Sequence, residues 1–76
     1  MERIVIDEKI MHGKPVIKGT RVPVYVILGS LAGGMSYSEI CKEYGVTKED
    51  VLAAIKYATD IISEEVVRPL KLKVKR

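Results

Sequence analysis

The sequence predicts a small, mainly α-helical domain that contains a helix-turn-helix and begins with a small β element. Two helix-capping patterns stand eleven residues apart, with a glycine between them, which is typical of two abutting helices. A β-branched run opens the chain and precedes a glycine-containing turn. The length of 76 residues, with one cysteine, leaves room for one modest core and no intrachain disulfide.

The N-terminal β element is expected to consist of a strand and a hairpin. Arg3 to Ile6 is a β-branched run, which predicts a strand that ends at the polar loop Asp7 to Lys14. Val16-Ile17 and Thr20-Arg21-Val22 are strand-like and are separated by Lys18-Gly19. Because glycine permits the positive φ of a tight turn, we expect a hairpin across these two residues.

Two helices are expected after the hairpin. Pro23 suits the first position of a helix that runs to about Leu31 and stops at Gly33-Gly34. Ser36 and Glu39 have the spacing of a capping box, in which each side chain accepts a hydrogen bond from the backbone N–H of the other residue. This pattern predicts the start of a second helix, which should end at Gly45 in a left-handed conformation.

The third helix is predicted by a second capping pattern, Thr47 with Asp50, which leaves a turn of three residues after the second helix. We expect this helix to run from Lys48 to about Val67, because Pro69 cannot continue it. Its apolar stripe is wider than a coiled-coil seam, so one side should pack on the core and the other on a partner chain. The stripe consists of Val51, Leu52, Ala54, Ile55, Ala58, Ile61, Ile62 and Val66.

The chain is expected to divide into a helix-turn-helix domain over residues 1–67 and a basic C-terminal segment over residues 68–76. Within that segment Leu70 to Lys75 alternates apolar residues with lysine, which predicts an edge strand; a disordered tail is the alternative. The segment is a candidate for contact with phosphates or with an acidic protein surface, besides a purely solubilising role. Its basic residues are Arg68, Lys71, Lys73, Lys75 and Arg76.

The amino-acid composition indicates the cellular compartment of the protein and its state of assembly. The single cysteine, Cys41, indicates a reducing cytoplasm, and neither a secretory signal nor a membrane span is expected because charges and glycines interrupt the apolar runs. A scaffold this small gains burial by self-association, so we expect a homodimer. The absence of Asn and Gln, with 30% charged residues, indicates a thermophilic source.

The helix-turn-helix predicts binding of double-stranded DNA, with the start of the third helix in the major groove. Two carboxylates, Glu49 and Asp50, oppose this reading because they lie where phosphates would approach, and without Asn or Gln the bidentate contact with adenine is lost. A pure packing role for these helices is the alternative. The candidate DNA-binding residues are Lys48, Glu49, Ala53, Lys56 and Tyr57, with Lys14, Lys18 and Arg21 as a small basic patch.

Few residues are candidates for catalysis. His12, the one histidine, lies in a predicted loop beside Asp7 and Glu8, and Cys41 has no base near it in sequence. Lys18-Gly19-Thr20 has the wrong residue order for a phosphate-binding loop. We therefore expect no enzymatic activity, no metal and no cofactor.

Four stretches of the chain resemble the prokaryotic family known as domain of unknown function 433: Ile6–Asp7, Gly13–Val24, Leu31–Ser36 and Val46–Ala54. The resemblance covers about residues 3–60, and the segment from Gly13 to Arg21 is its most specific part. It implies a homeodomain-like three-helix fold with an N-terminal β element, in a dimer. It also implies an antitoxin of a type II toxin–antitoxin module that neutralises a PIN-like ribonuclease, with binding to its own promoter DNA as a further activity.

Two other functions stay open at this point. A stand-alone transcriptional regulator would bind promoter DNA without a protein partner, and an interaction adaptor would bind a protein without affinity for DNA. PIN-like nucleases hold metal with clustered carboxylates. The basic C-terminal segment is therefore a candidate to occupy such an acidic site.

Overall fold

The computed structural model describes the backbone of residues 3–73 and the side chains of residues 3–63. Two short strands, β1 (Ile4–Val5) and β2 (Val16–Ile17), precede three helices. The helices are α1 (Val24–Ala32), α2 (Tyr37–Tyr44) and α3 (Lys48–Lys73). The predicted class, a mainly α-helical domain with a small β element, is therefore confirmed.

The β element differs from the predicted hairpin. The strands β1 and β2 pair antiparallel, with Ile4 opposite Ile17 and Val5 opposite Val16. The turn after β2 forms as expected, with Gly19 at φ 81°. The returning segment Thr20 to Val22 is not a strand, although the Val22 carbonyl accepts from the Ile17 N–H over 3.0 Å. One isolated bridge follows, between Val16 and Pro23. The pairing ends there because the next residue, Val24, begins α1.

The first helix begins and ends within a residue of the prediction. Pro23 is the N-cap of α1 rather than its first helical residue, with φ −71° and ψ 148°. At the other end the Gly33 N–H donates to the Gly29 carbonyl over 2.9 Å, and Gly34 takes a positive φ of 102°. These two glycines let the chain leave α1 and turn into α2.

Both predicted helix caps are confirmed. The Ser36 hydroxyl accepts from the Glu39 N–H over 3.1 Å, while the Glu39 carboxylate accepts from the Ser36 N–H over 2.8 Å. The Thr47 hydroxyl accepts from the Asp50 N–H over 3.1 Å, and the Asp50 carboxylate accepts from the Thr47 N–H over 3.0 Å. Between them Gly45 caps α2 in the left-handed region at φ 69°.

The third helix is longer than predicted. It continues through Pro69 to Lys73, so neither the expected end at Val67 nor a strand over Leu70–Lys73 is found. Proline removes one N–H donor and strains the preceding turn, yet leucine and lysine after it are strong helix formers. Residues 74–76, the end of the predicted edge strand, lie outside the described residues.

The core lies where the three helices meet the small sheet. Its largest fully buried side chains are Val16, Ile17, Ile27, Ile40 and Val51, so β2 and all three helices contribute to it. On α3 the apolar stripe splits as expected, because Ala54 is fully buried whereas Leu52 is 45% exposed. Within the described residues, no helix is long and apolar enough to cross a membrane.

Candidate macromolecule-binding surfaces

The start of α3 is tied to the start of the chain by an ion pair. Arg3 Nη1 donates to Asp50 Oδ1 over 2.9 Å, across a sequence separation of 47 residues. The Arg3 side chain is half exposed, whereas the Asp50 side chain is only 13% exposed. The carboxylate of Asp50 is thus shared between the helix cap and a guanidinium.

The environment of Asp50 holds its carboxylate in the charged form. Burial acts to raise the pKa of Asp50, but the hydrogen bonds from the Thr47 N–H, Arg3 and the Thr47 hydroxyl, with the charge of Arg3, outweigh it. The pKa of Asp50 is therefore lowered. Sequence reasoning counted Asp50 as a charge that repels phosphate; the structure pairs that charge internally and leaves Glu49 exposed.

The turn after β2 lies beside Arg3, at the same end of the molecule as the start of α3. The Lys18 N–H donates to the Arg3 carbonyl over 2.8 Å, so this turn lies beside the residue that reaches α3. The Thr20 hydroxyl stabilises the turn, because it donates to the Ile17 carbonyl over 2.7 Å and accepts from the Val22 N–H over 2.9 Å. Lys18 and Arg21 are both exposed.

An aromatic residue that sequence reasoning missed lies next to Lys48. The Lys48 ammonium is 5.9 Å from the centre of the Tyr37 ring, and Tyr37 is 37% exposed. Each is the first residue of its helix, so this contact brings the N-termini of α2 and α3 together. The sequence did contain a signal for this contact, because Tyr37 and Lys48 each directly follow a predicted helix cap.

Two of the predicted DNA-contacting residues of α3 face inward. Ala53 is only 8% exposed and belongs to the core, so the expectation that it faces DNA is wrong. Tyr57 is half buried and packs against the core. Lys56 is exposed and pairs with Asp60 over 3.2 Å, one helical turn later. The exposed candidates on this helix are therefore Lys48, Glu49 and Lys56.

Lys14 lies in a different setting from Lys18. Its ammonium is 5.7 Å from the centre of the Tyr25 ring, beside a concavity of about 300 Å³ between α1 and α3. We call this concavity the apolar groove. Its main lining residues are Tyr25 and Leu28 of α1 and Tyr57, Ala58, Ile61 and Ile62 of α3.

The predicted partner-binding residues lie largely beyond what the structure describes. The backbone of Arg68, Lys71 and Lys73 belongs to α3, but their side chains lie outside the described residues. Lys75 and Arg76 lie outside them altogether.

The candidate catalytic histidine lies on the surface. His12 is exposed, at φ 59° in a short 3₁₀ turn over Met11–Gly13. Among the described residues, no three His, Cys, Asp or Glu side chains come together as they would to hold a metal ion.

The fold and these surfaces define the class of protein. It is a small three-helix domain whose two-stranded sheet lies next to the start of the last helix. The chain belongs to the family described as "Protein of unknown function (DUF433)", whose model matches residues 4–58. This confirms the resemblance seen in the sequence. The matched region contains the whole sheet, α1, α2 and the start of α3 as far as Ala58.

Two curated relatives are similar to the chain. One, named "Putative antitoxin VapB45", from Mycobacterium tuberculosis, is 33% identical over 52 residues, 68% of this chain. The chain spans only 22% of that relative's length. The other, an uncharacterized protein of Archaeoglobus fulgidus, is 75% identical over 24 residues, which are 32% of this chain and 67% of the relative.

The fold is shared with a solved crystal structure. The crystal structure titled Rv2018, from Mycobacterium tuberculosis, superposes with a TM-score of 0.64 at 33% sequence identity. The match covers 68% of this chain and 24% of that one. In the Mycobacterium relative and in this crystal structure, the matched region is a minor part of a longer chain.

Proposed function

We propose that this chain acts as the antitoxin of a type II toxin–antitoxin module and neutralises a PIN-like ribonuclease by binding it. The observation that carries the proposal is the similarity to a relative named as an antitoxin, at 33% identity over 68% of the chain. In this role the chain is a non-enzymatic, cytoplasmic binding protein. A homodimer is part of the proposal, because so small a core leaves Leu52 and Ile6 exposed at 45% and 61%.

We propose that the start of α3 binds the promoter DNA of the module. The pairing of Asp50 with Arg3 supports this activity, because it removes one of two carboxylates that opposed it. The exposed lysines Lys48 and Lys56 stand on α3, and the turn bearing Lys18 is tied to Arg3. Such a surface suits contacts with phosphates more than readout of bases.

In the proposed module the nuclease is encoded beside this chain, so the direct test uses the product of the adjacent reading frame. We expect the purified chain to bind that nuclease and to stop its cleavage of RNA at equimolar concentration. The matched control is the same nuclease with an unrelated small basic protein. If the nuclease cleaves RNA equally fast with and without this chain, the antitoxin proposal is wrong.

A second experiment separates the alternatives. In a gel-shift titration with the DNA upstream of the module, we expect a shift that weakens as salt rises, because bound lysines displace counterions. A DNA shift without binding to the nuclease would favour a stand-alone regulator. Nuclease binding without a shift at low salt would favour an interaction adaptor.

A further inference from the structure

We propose that the apolar groove between α1 and α3 is the docking site for an amphipathic helix of the nuclease partner. In this arrangement apolar side chains of the partner helix fill the groove, and one of its carboxylates pairs with Lys14. The inference rests on the proposed function and adds to it the surface of contact and the chemistry of the segment bound.

The groove gathers apolar side chains that the domain leaves in water. Tyr25 is 58% exposed, Ile61 39% and Ile62 57%, and all three line the same concavity. Apolar residues exposed singly are ordinary, whereas a cluster around a concavity marks a binding surface. A volume of about 300 Å³ accepts a few side chains of a helix laid along it.

The position of the groove on α3 explains why its own domain does not fill it. Tyr57 packs against the core cluster from α3, whereas Ile61 and Ile62, one turn later, are exposed. The backbone of α3 continues from there to Lys73. The groove thus lies where α3 leaves the core cluster, so the side chains of Ile61 and Ile62 are available to a partner.

Charge favours an acidic partner over a second copy of this chain. Of the described residues that line the groove, Lys14 alone is charged. A symmetric contact through the groove would bring two Lys14 side chains near one axis, with no acid among the described lining residues to match them. A partner helix that carries a carboxylate instead pairs that carboxylate with Lys14 at the groove.

The test compares single substitutions by calorimetric titration against an inactive form of the nuclease from the adjacent reading frame. Ile62→Glu places a carboxylate in the groove, and we expect binding to weaken by about tenfold or more. Ser63→Glu adds the same charge one residue later, outside the groove, and binding should change by less than about twofold. Circular dichroism should show the same helix content and melting temperature for both variants.

A second pair of variants tests the charge. Lys14→Glu should weaken binding by about fivefold or more, and the loss should shrink as salt rises. Lys42→Glu reverses an exposed charge on α2, away from the groove, and should leave the affinity unchanged.

Several outcomes would overturn the groove assignment. If the unsubstituted chain binds the nuclease and both groove variants bind as tightly, the groove is not the contact surface although the proposed function stands. If the unsubstituted chain does not bind the nuclease, both proposals fail. If Ile62→Glu converts a dimer to a monomer in analytical ultracentrifugation, the groove is the interface between two copies.

Discussion

Arg3, directly before β1, forms an ion pair with Asp50 in the first turn of α3, with Arg3 Nη1 2.9 Å from Asp50 Oδ1. The pair does more than link β1 to α3, because the other oxygen of Asp50 caps the helix through the Thr47 N–H over 3.0 Å. One carboxylate therefore fixes the first turn of α3, the turn before it and the start of the chain.

The two partners of this pair should differ in their effect on stability. We expect Asp50→Ala to lower the free energy of unfolding by about 1–2 kcal/mol, because the Thr47 N–H loses its acceptor in the capping box and the ion pair with Arg3 is lost as well. Arg3→Ala should lower the free energy of unfolding by about 0–1 kcal/mol, since Arg3 is half exposed and water screens the ion pair. Urea denaturation measures both. Equal losses of stability would show that the ion pair, rather than the hydrogen bond from the Thr47 N–H, makes the main contribution.

The lowered pKa of Asp50 predicts a dependence of stability on pH. A carboxyl group whose pKa is lower in the folded state stabilises the fold at pH values above its unfolded pKa of about 3.9. That contribution is lost as the pH falls through the still lower pKa of the folded state. We therefore expect the stability gap between the unsubstituted chain and Asp50→Asn to be constant near neutral pH and to shrink below about pH 4. A gap that stays constant down to about pH 2 would contradict the assignment.

A matched pair of glycine substitutions tests the turn between α2 and α3. Gly45 lies at φ 69°, so Gly45→Ala should lower the free energy of unfolding by about 1–2 kcal/mol. Gly29 lies inside α1, where an added Cβ meets nothing within 4 Å, so Gly29→Ala should raise it by about 0.5–1 kcal/mol. Thermal melting distinguishes the two. If both substitutions stabilise, Gly45 is not required for the turn.

The proposed DNA surface predicts which lysines matter. Lys48→Ala should weaken binding to the module's promoter and reduce the salt slope by about one unit if Lys48 contacts a phosphate. Lys42→Ala, an exposed lysine of α2, is the control of equal charge and should have a smaller effect. Fluorescence anisotropy at several salt concentrations measures both slopes. Identical slopes for the two variants would assign the affinity to net charge alone.

Removal of the basic segment tests the predicted partner-binding residues. A chain truncated after Val67 lacks Arg68, Lys71, Lys73, Lys75 and Arg76. We expect it to bind the nuclease at least about tenfold more weakly, because the complementary charge is lost, and to keep its oligomeric state. Calorimetry measures the affinity for the nuclease, and sedimentation measures the mass, which gives the oligomeric state. An unchanged affinity would reject a role for the segment in binding the partner.

The sequence was sufficient for features that depend on close spacing along the chain. The caps at Ser36 and Thr47, and the glycine that ends α2, involve residues no more than four positions apart. Such contacts form whenever a helix begins or ends there, so their pattern is legible without knowledge of the rest of the fold. The mainly helical class follows from the same local signals.

The tertiary structure decided every feature that depends on which elements meet. The pairing of β1 with β2 and the ion pair between Arg3 and Asp50 each join segments far apart in sequence. Packing of α3 on the core likewise buries Ala53 and leaves the adjacent Leu52 exposed. Lys14 and Lys18 also look alike in the sequence, yet one lies over Tyr25 at the groove and the other is tied to Arg3. Side-chain spacing defines the faces of a helix, but only packing against remote elements determines which face is buried and which charge finds a partner.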